Sequence, residues 1–396
     1  MFEATVRDRV ERLLAASRRS DVPPFMVMDV MAAAERIEAA GGHVIHMEVG
    51  QPAAPAPKSA IAAAHVALDS GRIDYTSALG IGSLRERIAG HYRDTYRCAV
   101  DASRIVVTTG SSAGFILAFL AMFEPGDRVA VTVPGYPPYR HILTALGCEP
   151  VLIETFGETR HALTGEALLA AHRKAPLKGV LVGSPANPTG TMMSRDALTS
   201  LIAAAEDAGI RFISDEIYHG LDYAFPAVTA AELSPHALVI NSFSKYFCMT
   251  GWRIGWMVVP EALVRPIERL QQNLAISVPT LSQVAAEAAF DGYEEMDAIK
   301  HGYLENRRIL IEGLPRAGLT KFLPADGAFY LYADVSDFTS DSLEFAKQML
   351  EHARVAATPG VDFDPYHGRN FVRLSYARSA EDMREAVVRL ERWLGR

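Results

Sequence analysis

Seven short apolar segments, separated by stretches with helical periodicity, constrain the fold of this chain more than any other feature. Most are continuous runs rich in Val and Ile, without alternation of apolar and polar residues, which indicates strands buried on both faces. They cover residues 104–109, 128–133, 149–155, 179–184, 210–215, 238–243 and 253–259. The alternation of strand and helix predicts an α/β fold, with a mostly parallel seven-stranded sheet flanked by helices.

The pattern changes near residue 292. Residues 293–313 have the periodicity of one long helix, and shorter strand and helix segments follow it. We therefore predict a large domain over residues 47–292 and a smaller α+β domain made of residues 1–46 and 293–396. Further helices are predicted at residues 1–20, 25–40 and 195–209.

The composition argues against several classes of protein. The net charge is −8, from 39 Lys and Arg against 47 Asp and Glu, so we expect no basic surface for nucleic acid or an anionic membrane. The three cysteines form no C-x-x-C pair, so we expect neither a disulfide framework nor a metal site. The longest apolar run, FILAFLAMF, is too short to cross a bilayer. These features predict a soluble protein of the cytoplasm.

Polar side chains stand at or just after the ends of the predicted strands, where α/β sheets bind their ligands. Asn187 follows the strand at 179–184 within Asn-Pro-Thr-Gly, and Asp215 closes the strand at 210–215, with Tyr218 soon after. A carboxylate that ends an apolar strand is costly to bury without a cationic partner, and a protonated nitrogen on a ligand meets that need. A plain turn and a helix cap are the simpler explanations of Asn187 and Asp215.

Lys245 follows the strand at 238–243 and has aromatic neighbours in the sequence. An amine in an apolar site has a lowered pKa and can act as a nucleophile or a base. A lysine that extends to solvent is the simpler alternative. Ser242, Ser244 and Arg253 flank it with hydroxyl groups and a fixed cation, a combination that suits a phosphate.

A glycine-rich turn, GSSAG at residues 110–114, joins a predicted strand to a helical run. Such a turn presents backbone N–H groups, here including those of Ser111 and Ser112, to an anion. The same residues match G-x-S-x-G, the nucleophile elbow of serine hydrolases, with Ser112 as the nucleophile. No HGGG-like segment precedes them, and a hydrolase leaves Lys245 unexplained. Tyr136, in PGYPPY, is a further candidate, because its ring could stack on a flat ligand.

Together these strand ends supply what pyridoxal phosphate needs: a lysine for the Schiff base, an acid for the ring nitrogen and donors for the phosphate. The chain resembles the fold-type I, class I/II pyridoxal-phosphate aminotransferases, close to the bacterial aspartate and aromatic aminotransferase-like group. The similarity covers nearly the whole chain, since NPTG, DEIY, SFSKYFCMTGWRIGW and VRLSYA occur in the family's order. The gaps agree too, with 28 residues from Asn187 to Asp215, 30 from Asp215 to Lys245 and 8 from Lys245 to Arg253.

The resemblance implies a role for each matching residue, with Lys245, Asp215 and Tyr218 as the catalytic group. Lys245 is implied as the Schiff-base lysine and proton shuttle, Asp215 as the partner of the ring nitrogen, and Arg373 as the residue that binds the substrate α-carboxylate. Tyr75 is implied to reach the phosphate of the neighbouring subunit, which predicts a homodimer with shared active sites. The other implied contacts are Asn187 and Tyr218 at the ring's phenolic oxygen, Tyr136 stacked on the ring, Gly50 and again Asn187 at the substrate, and Ser111, Ser112, Ser242, Ser244 and Arg253 at the phosphate.

The implied reaction is ping-pong transfer of an amino group from an L-amino acid to a 2-oxo acid. Related aspartate aminotransferases carry a lysine where Ser112 stands and use it for the distal carboxylate of the substrate. We therefore expect neutral or aromatic donors to be favoured over dicarboxylic ones, with 2-oxoglutarate or pyruvate as acceptor and PPFMVM at 23–28 as a candidate lining. A C–S β-lyase or a decarboxylase on the same fold remains an alternative, because the cofactor site does not decide which bond at Cα breaks.

Overall fold

The structure is a computed structural model that describes residue 11 and residues 13–395. Most of the helix predicted at 1–20 therefore lies outside the described residues. The strands, in chain order, are β1 (Ile45–His46), β2 (Ile105–Thr108), β3 (Arg128–Val133), β4 (Glu149–Glu154), β5 (Gly179–Gly183), β6 (Arg211–Asp215), β7 (Leu238–Ser242), β8 (Gly255–Val258), β9 (Lys321–Phe322), β10 (Tyr330–Asp334), β11 (Val355–Ala356), β12 (Thr358–Pro359) and β13 (Phe371–Ser375).

The predicted sheet of seven strands is confirmed, in the spatial order β2-β8-β7-β6-β5-β3-β4. Strands β7, β6, β5, β3 and β4 pair in parallel, whereas β8 runs antiparallel to both of its neighbours. Because β8 is reversed, its first residue lies at the edge where the other strands end. Arg253, two residues before β8, is thereby brought to the edge that also carries Asp215 and Ser242.

Between β7 and β8 the predicted helix is missing, and only a short 3₁₀ turn, Thr250–Trp252, is present. The other consecutive strands of the large sheet are separated by helices, as predicted. The helices are α1 (Met26–Ala39), α2 (Lys58–Ser70), α3 (Gly82–Tyr96), α4 (Gly110–Met122), α5 (Pro137–Ala145), α6 (Gly165–Lys174), α7 (Arg195–Asp207), α8 (Ala230–Leu233), α9 (Glu261–Leu274), α10 (Thr280–Ala289), α11 (Tyr293–Gly313), α12 (Ser342–Gln348) and α13 (Ala380–Leu394). The helices predicted at 25–40 and 195–209 correspond to α1 and α7. Gly209, two residues after α7, has φ +67° and returns its N–H to the carbonyl of Glu206 at 2.9 Å.

Helix α4 is packed firmly against the large sheet. Its apolar residues lie on every side, a pattern typical of a buried helix. Phe115 and Phe119 are almost fully buried, and the helix packs against β7, β8 and α9. The N-terminus of α4 is therefore held rigidly at the edge of the sheet.

The last quarter of the chain, from α11 onward, forms a second α+β unit. Strands β12, β13, β10 and β9 make an antiparallel sheet, and helix α12 contacts β12 and β13. Helices α11 and α13 of the same unit pack against each other. Strand β1, near the start of the chain, pairs in parallel with β11. This pairing brings the segment around residue 47 beside β13 and so beside Arg373. Among the described residues, no helix combines the length and the apolar character that a membrane crossing requires.

Candidate active site

Most of the residues singled out in the sequence converge at one edge of the large sheet. Asp215 is the last residue of β6, Asn187 follows β5 by four residues, and Lys245 follows β7 by three. Since these three strands are parallel neighbours, their carboxyl ends necessarily meet. Arg373 approaches the same place from the small sheet, through strand β13.

Lys245 directs its amine inward, away from solvent. Its Nζ atom donates a hydrogen bond to the carbonyl of Gly50 at 2.7 Å and lies 5.9 Å from the centre of the Tyr218 ring. Burial lowers the pKa of this amine to about 8, and the positive charges of Arg373 and Arg253 act in the same direction, against the opposing effect of Asp215. A much larger neutral fraction is therefore present near neutral pH than an exposed lysine would have.

Asp215 is almost fully buried, and both of its carboxylate oxygens accept hydrogen bonds. The hydroxyl of Tyr139 donates to Oδ2, and the N–H of Ile217 donates to Oδ1 at 3.1 Å. Burial raises the pKa of Asp215 to about 6, although the two hydrogen bonds and the charge of Lys245 oppose that rise. A buried carboxylate of this kind favours a positively charged partner.

Two tyrosines and a glycine close one side of this space. The hydroxyls of Tyr218 and Tyr330 lie 2.7 Å apart, and burial raises the pKa of Tyr218 well above its usual value. Gly50 packs so closely on Tyr330 that a Cβ atom at position 50 would lie 1.8 Å from the Tyr330 hydroxyl. Only glycine allows the chain to pass here with its carbonyl facing Lys245.

Arg373 is held in place on all sides, with an exposure of 1%. Its guanidinium donates to the Asn187 side-chain oxygen at 3.0 Å, to the Thr358 hydroxyl at 3.1 Å and to the backbone carbonyl of Glu48. The rings of Tyr330 and Phe363 lie 4.5 and 4.7 Å from its central carbon. None of these partners is a carboxylate side chain, so the charge is available to an anionic ligand.

Hydrogen-bond donors collect at the start of helix α4. No side chain among the described residues caps this helix, which leaves its first N–H groups available to an anion. Gly110, the first residue, has φ +72°, and a Cβ there would lie 2.6 Å from an Nη atom of Arg253. The hydroxyls of Ser242 and Ser244 lie 2.8 Å apart at the end of β7.

Ser112 lies in the first turn of α4, with an exposed side chain. Within the described part of the chain, no hydrogen bond links its hydroxyl to a histidine. A serine hydrolase needs that bond to activate its nucleophile. The geometry around GSSAG therefore suits anion binding by the backbone and does not support a nucleophilic Ser112.

Tyr136 immediately precedes helix α5 and stands between two other aromatic rings. Its centroid lies 5.2 Å from that of Tyr139 and 5.9 Å from that of Phe25, both edge to face. The charges of Asp215 and Arg373 both influence the pKa of its hydroxyl, which burial raises. Phe25, within the predicted PPFMVM lining, thus lies against a residue of this site.

Tyr75 lies in an exposed part of the surface. Its side chain is 80% exposed, and the hydrophobic residues Ile73, Leu274 and Ile276 are also exposed. Thr280 donates its hydroxyl to the backbone carbonyl of Asp74, which holds the segment around Tyr75 beside the one that follows α9.

Several residues of the site were not predicted from the sequence. Tyr139 lies within PGYPPY, three residues after Tyr136, but nothing in the motif pairs it with Asp215. Tyr330 and Phe363 occur in segments without a recognisable motif. The best available signal for all three is aromatic residues near the ends of strands, which is too common to be specific.

Comparison with known proteins identifies the family. Residues 42–390 match the family model described as aminotransferase class I and II. The chain is 47% identical over 380 residues to a valine–pyruvate aminotransferase from Mycobacterium tuberculosis, covering 95% of this chain and 97% of the relative. It is 31% identical to an aspartate aminotransferase from Thermotoga maritima, covering 96% and 99% of the two chains.

Among solved structures, an aminotransferase from Mycobacterium tuberculosis superposes with a TM-score of 0.94 at 46% identity, covering 96% of this chain and 99% of that one. The match extends over both the large sheet and the smaller α+β unit. It confirms the α/β architecture expected for fold-type I aminotransferases and, with the sequence relatives, the expected reaction. The chain belongs to the class I and II aminotransferases, which transfer an amino group between an amino acid and a 2-oxo acid.

Proposed function

We propose that this aminotransferase uses pyridoxal 5′-phosphate bound at the carboxyl edge of the large sheet, with Lys245 as its covalent anchor. The observation that carries the proposal is the inward-facing amine of Lys245, whose pKa is lowered to about 8, in the same buried site as the Asp215 carboxylate. A nucleophilic amine and an acid for a ring nitrogen are the two groups that this cofactor needs most.

The donor set fits the rest of the cofactor. The uncapped N-terminus of α4 and the cation of Arg253 suit a phosphate dianion, and Tyr136 offers an aromatic face to a ring. Asn187 and Tyr218 offer polar hydrogens from the two neighbouring strand ends. The residues proposed to bind the phosphate are Ser111, Ser112, Ser242, Ser244 and Arg253, with Tyr75 of a second subunit.

The protein's own groups account for the proton transfer. When bound, pyridoxal phosphate withdraws electrons from the bonds to the substrate's Cα, which makes the Cα proton acidic. Arg373 binds the substrate carboxylate with a guanidinium whose orientation is fixed before the substrate arrives. Lys245, once its amine is free, accepts the Cα proton and later returns it, for which a pKa of about 8 is well matched to neutral pH.

We further propose a neutral amino donor, aliphatic or aromatic, with pyruvate or 2-oxoglutarate as the acceptor. Ser112 offers no charge to a second carboxylate, and Phe25 places an apolar ring beside Tyr136. The similarity to a valine–pyruvate aminotransferase at 47% identity supports the same choice. Aminotransferase relatives across the whole chain give no support to the β-lyase and decarboxylase alternatives.

A single-turnover screen tests the proposed donor. The protein loaded with pyridoxal phosphate is mixed with valine, phenylalanine or aspartate, and the absorbance change of the bound cofactor is followed, with Lys245→Ala as the matched control. We expect valine or phenylalanine to react faster than aspartate, each giving its 2-oxo acid. A faster reaction with aspartate would overturn the donor assignment, and release of CO₂ or of an eliminated thiol would favour the alternatives.

We also propose a homodimer in which Tyr75 completes the partner's site. The exposure of Tyr75 among the exposed side chains of Ile73, Leu274 and Ile276 supports an interface there. Mixing Lys245→Ala with Tyr75→Ala subunits tests it, since random reassociation would restore about one quarter of the wild-type activity if sites are shared. No recovery, although the subunits exchange, would contradict the shared site.

The domain limits and the location in the cell are proposals of the same kind. A division into residues 47–292 and residues 1–46 with 293–396 is supported by the pairing of β1 with β11. A cytoplasmic location is supported by three buried cysteines without disulfide bonds, Cys98, Cys148 and Cys248.

A further inference from the structure

Tyr139 makes a contact in the site for which the transamination steps above give no role. It lies in helix α5, is 7% exposed, and donates its hydroxyl hydrogen to Oδ2 of Asp215. The other oxygen, Oδ1, already accepts the N–H of Ile217 at 3.1 Å. Each oxygen keeps a further lone pair, so Asp215 can still accept a hydrogen from a ligand.

The ring of Tyr139 is fixed by two other parts of the site. Its centroid lies 5.2 Å from the centroid of Phe115 in α4 and 5.2 Å from that of Tyr136, both edge to face. Tyr139 therefore contacts the helix at the proposed phosphate end, the ring proposed to stack on the cofactor, and the acid proposed for the ring nitrogen. A side chain held by such packing keeps its hydroxyl in place without a ligand.

Asp215 needs a hydrogen-bond donor because its surroundings oppose its charge. Burial raises its pKa to about 6, while Tyr139, the N–H of Ile217 and the charge of Lys245 act in the opposite direction. The next residue, Glu216, is also buried, and its pKa is raised to about 7, with the Asp215 charge as a minor cause. The hydroxyl of Tyr136 is a further titratable group that faces Asp215.

We propose that Tyr139 is a positioning residue that keeps Asp215 ionised and oriented toward the ring nitrogen of the cofactor. This inference rests on the proposed function, because it takes Asp215 to be the partner of that nitrogen. Hydrogen bonds to the charged form of a carboxylate favour that form. Without the hydroxyl, Asp215 takes up a proton at higher pH, and the apoprotein loses affinity for the cofactor as the pH falls.

Tyr139→Phe removes only the hydroxyl and tests this. The affinity of the apoprotein for pyridoxal phosphate is measured by tryptophan fluorescence between pH 5.5 and 8.5. We expect a loss of about tenfold at the acid end and a shift of the acidic limb upward by about one pH unit, the size expected for one hydrogen bond to a charged group. Tyr332→Phe is the matched control, because Tyr332 is equally buried and its hydroxyl has no partner among the described residues.

A double variant separates an effect through Asp215 from general damage. In an Asp215→Asn background, Tyr139→Phe is expected to leave the pH dependence unchanged, since the group that titrates is gone. An equal loss in both backgrounds, or a loss that does not vary with pH, would overturn the inference and indicate a packing role. Wild-type protein that fails to bind pyridoxal phosphate at any pH would instead refute the proposed function. Thermal unfolding of each apoprotein identifies a variant that fails to fold. The hydroxyl proton of Tyr139 is then observed in the wild type by NMR, where the absence of its hydrogen bond to Asp215 near neutral pH would overturn the inference.

Discussion

The two arginines of the site, Arg253 and Arg373, are held in opposite ways. Arg253 is exposed, donates to the backbone carbonyl of Thr250 at 3.0 Å and lies over Gly110, beside the free N–H groups of α4. Arg373 is 1% exposed, has three hydrogen-bond acceptors and is enclosed between two aromatic rings. Arg253 is therefore one of several donors at the start of α4, whereas Arg373 is a single cation whose orientation is fixed by its neighbours.

The difference fits the ligands that we propose for the two arginines, a phosphate at Arg253 and a substrate carboxylate at Arg373. A phosphate at α4 can be shared among backbone N–H groups, hydroxyls and Arg253, so no single side chain carries most of the energy. A substrate carboxylate at Arg373 would meet one planar guanidinium whose orientation is already fixed. We therefore expect a substitution of Arg373 to be costly, and a substitution of Arg253 or its neighbouring hydroxyls to be milder.

The largest effect is expected for Arg373→Ala. Loss of the partner of a buried carboxylate costs ~2–5 kcal/mol, and the loss should appear in kcat/KM for the amino donor. The affinity for the cofactor, measured by fluorescence, should change little. An unchanged kcat/KM would show that another residue binds the carboxylate.

Arg253→Ala should have a smaller effect, on a different quantity. One hydrogen bond to a charged group is worth about 1.5–3 kcal/mol, so the affinity for pyridoxal phosphate should fall by about one to two orders of magnitude. At saturating cofactor, kcat/KM for the donor should stay closer to the wild-type value than in Arg373→Ala. A reversed pattern, with cofactor affinity more sensitive to Arg373, would contradict the comparison.

The two arginines should also differ in their effect on Lys245. Both are cations that lower its pKa, and Arg373 has the larger influence after burial. Removing a cation makes it easier to charge the amine, so the pKa should rise from about 8, more in Arg373→Met than in Arg253→Met. The pH dependence of Lys245 acylation in the apoproteins measures this. A fall in either variant, or a larger rise in Arg253→Met, would be inconsistent with the geometry.

The smallest effect is expected for Ser112→Ala. If only the backbone at position 112 contacts the phosphate, the variant should lose about 0.5 kcal/mol or less in cofactor affinity and keep most of its activity. Steady-state kinetics with the best donor checks this. A loss as deep as that of Lys245→Ala would restore the hydrolase interpretation of GSSAG.

The same contrast explains what could be predicted from the sequence. The residues that we propose for the phosphate belong to continuous motifs, GSSAG and SFSKYFCMTGWR, and their order at successive strand ends is enough to predict that they lie together. The setting of Arg373 depends on contacts between residues far apart in the chain, such as Glu48 and Thr358. Tyr139 was missed for a similar reason, because its bond to Asp215 joins a helix to a strand end 76 residues away. Periodicity describes single elements and does not specify which side chains meet across them.

The central claim is that pyridoxal phosphate is anchored at Lys245. Reduction of the loaded protein with borohydride, followed by digestion and peptide mass spectrometry, tests it most directly. The account predicts one pyridoxyl-phosphate modification, on the peptide that contains Lys245, and none at that position in Lys245→Ala. Modification of a different lysine, or no modification of protein that has taken up the cofactor, would contradict it.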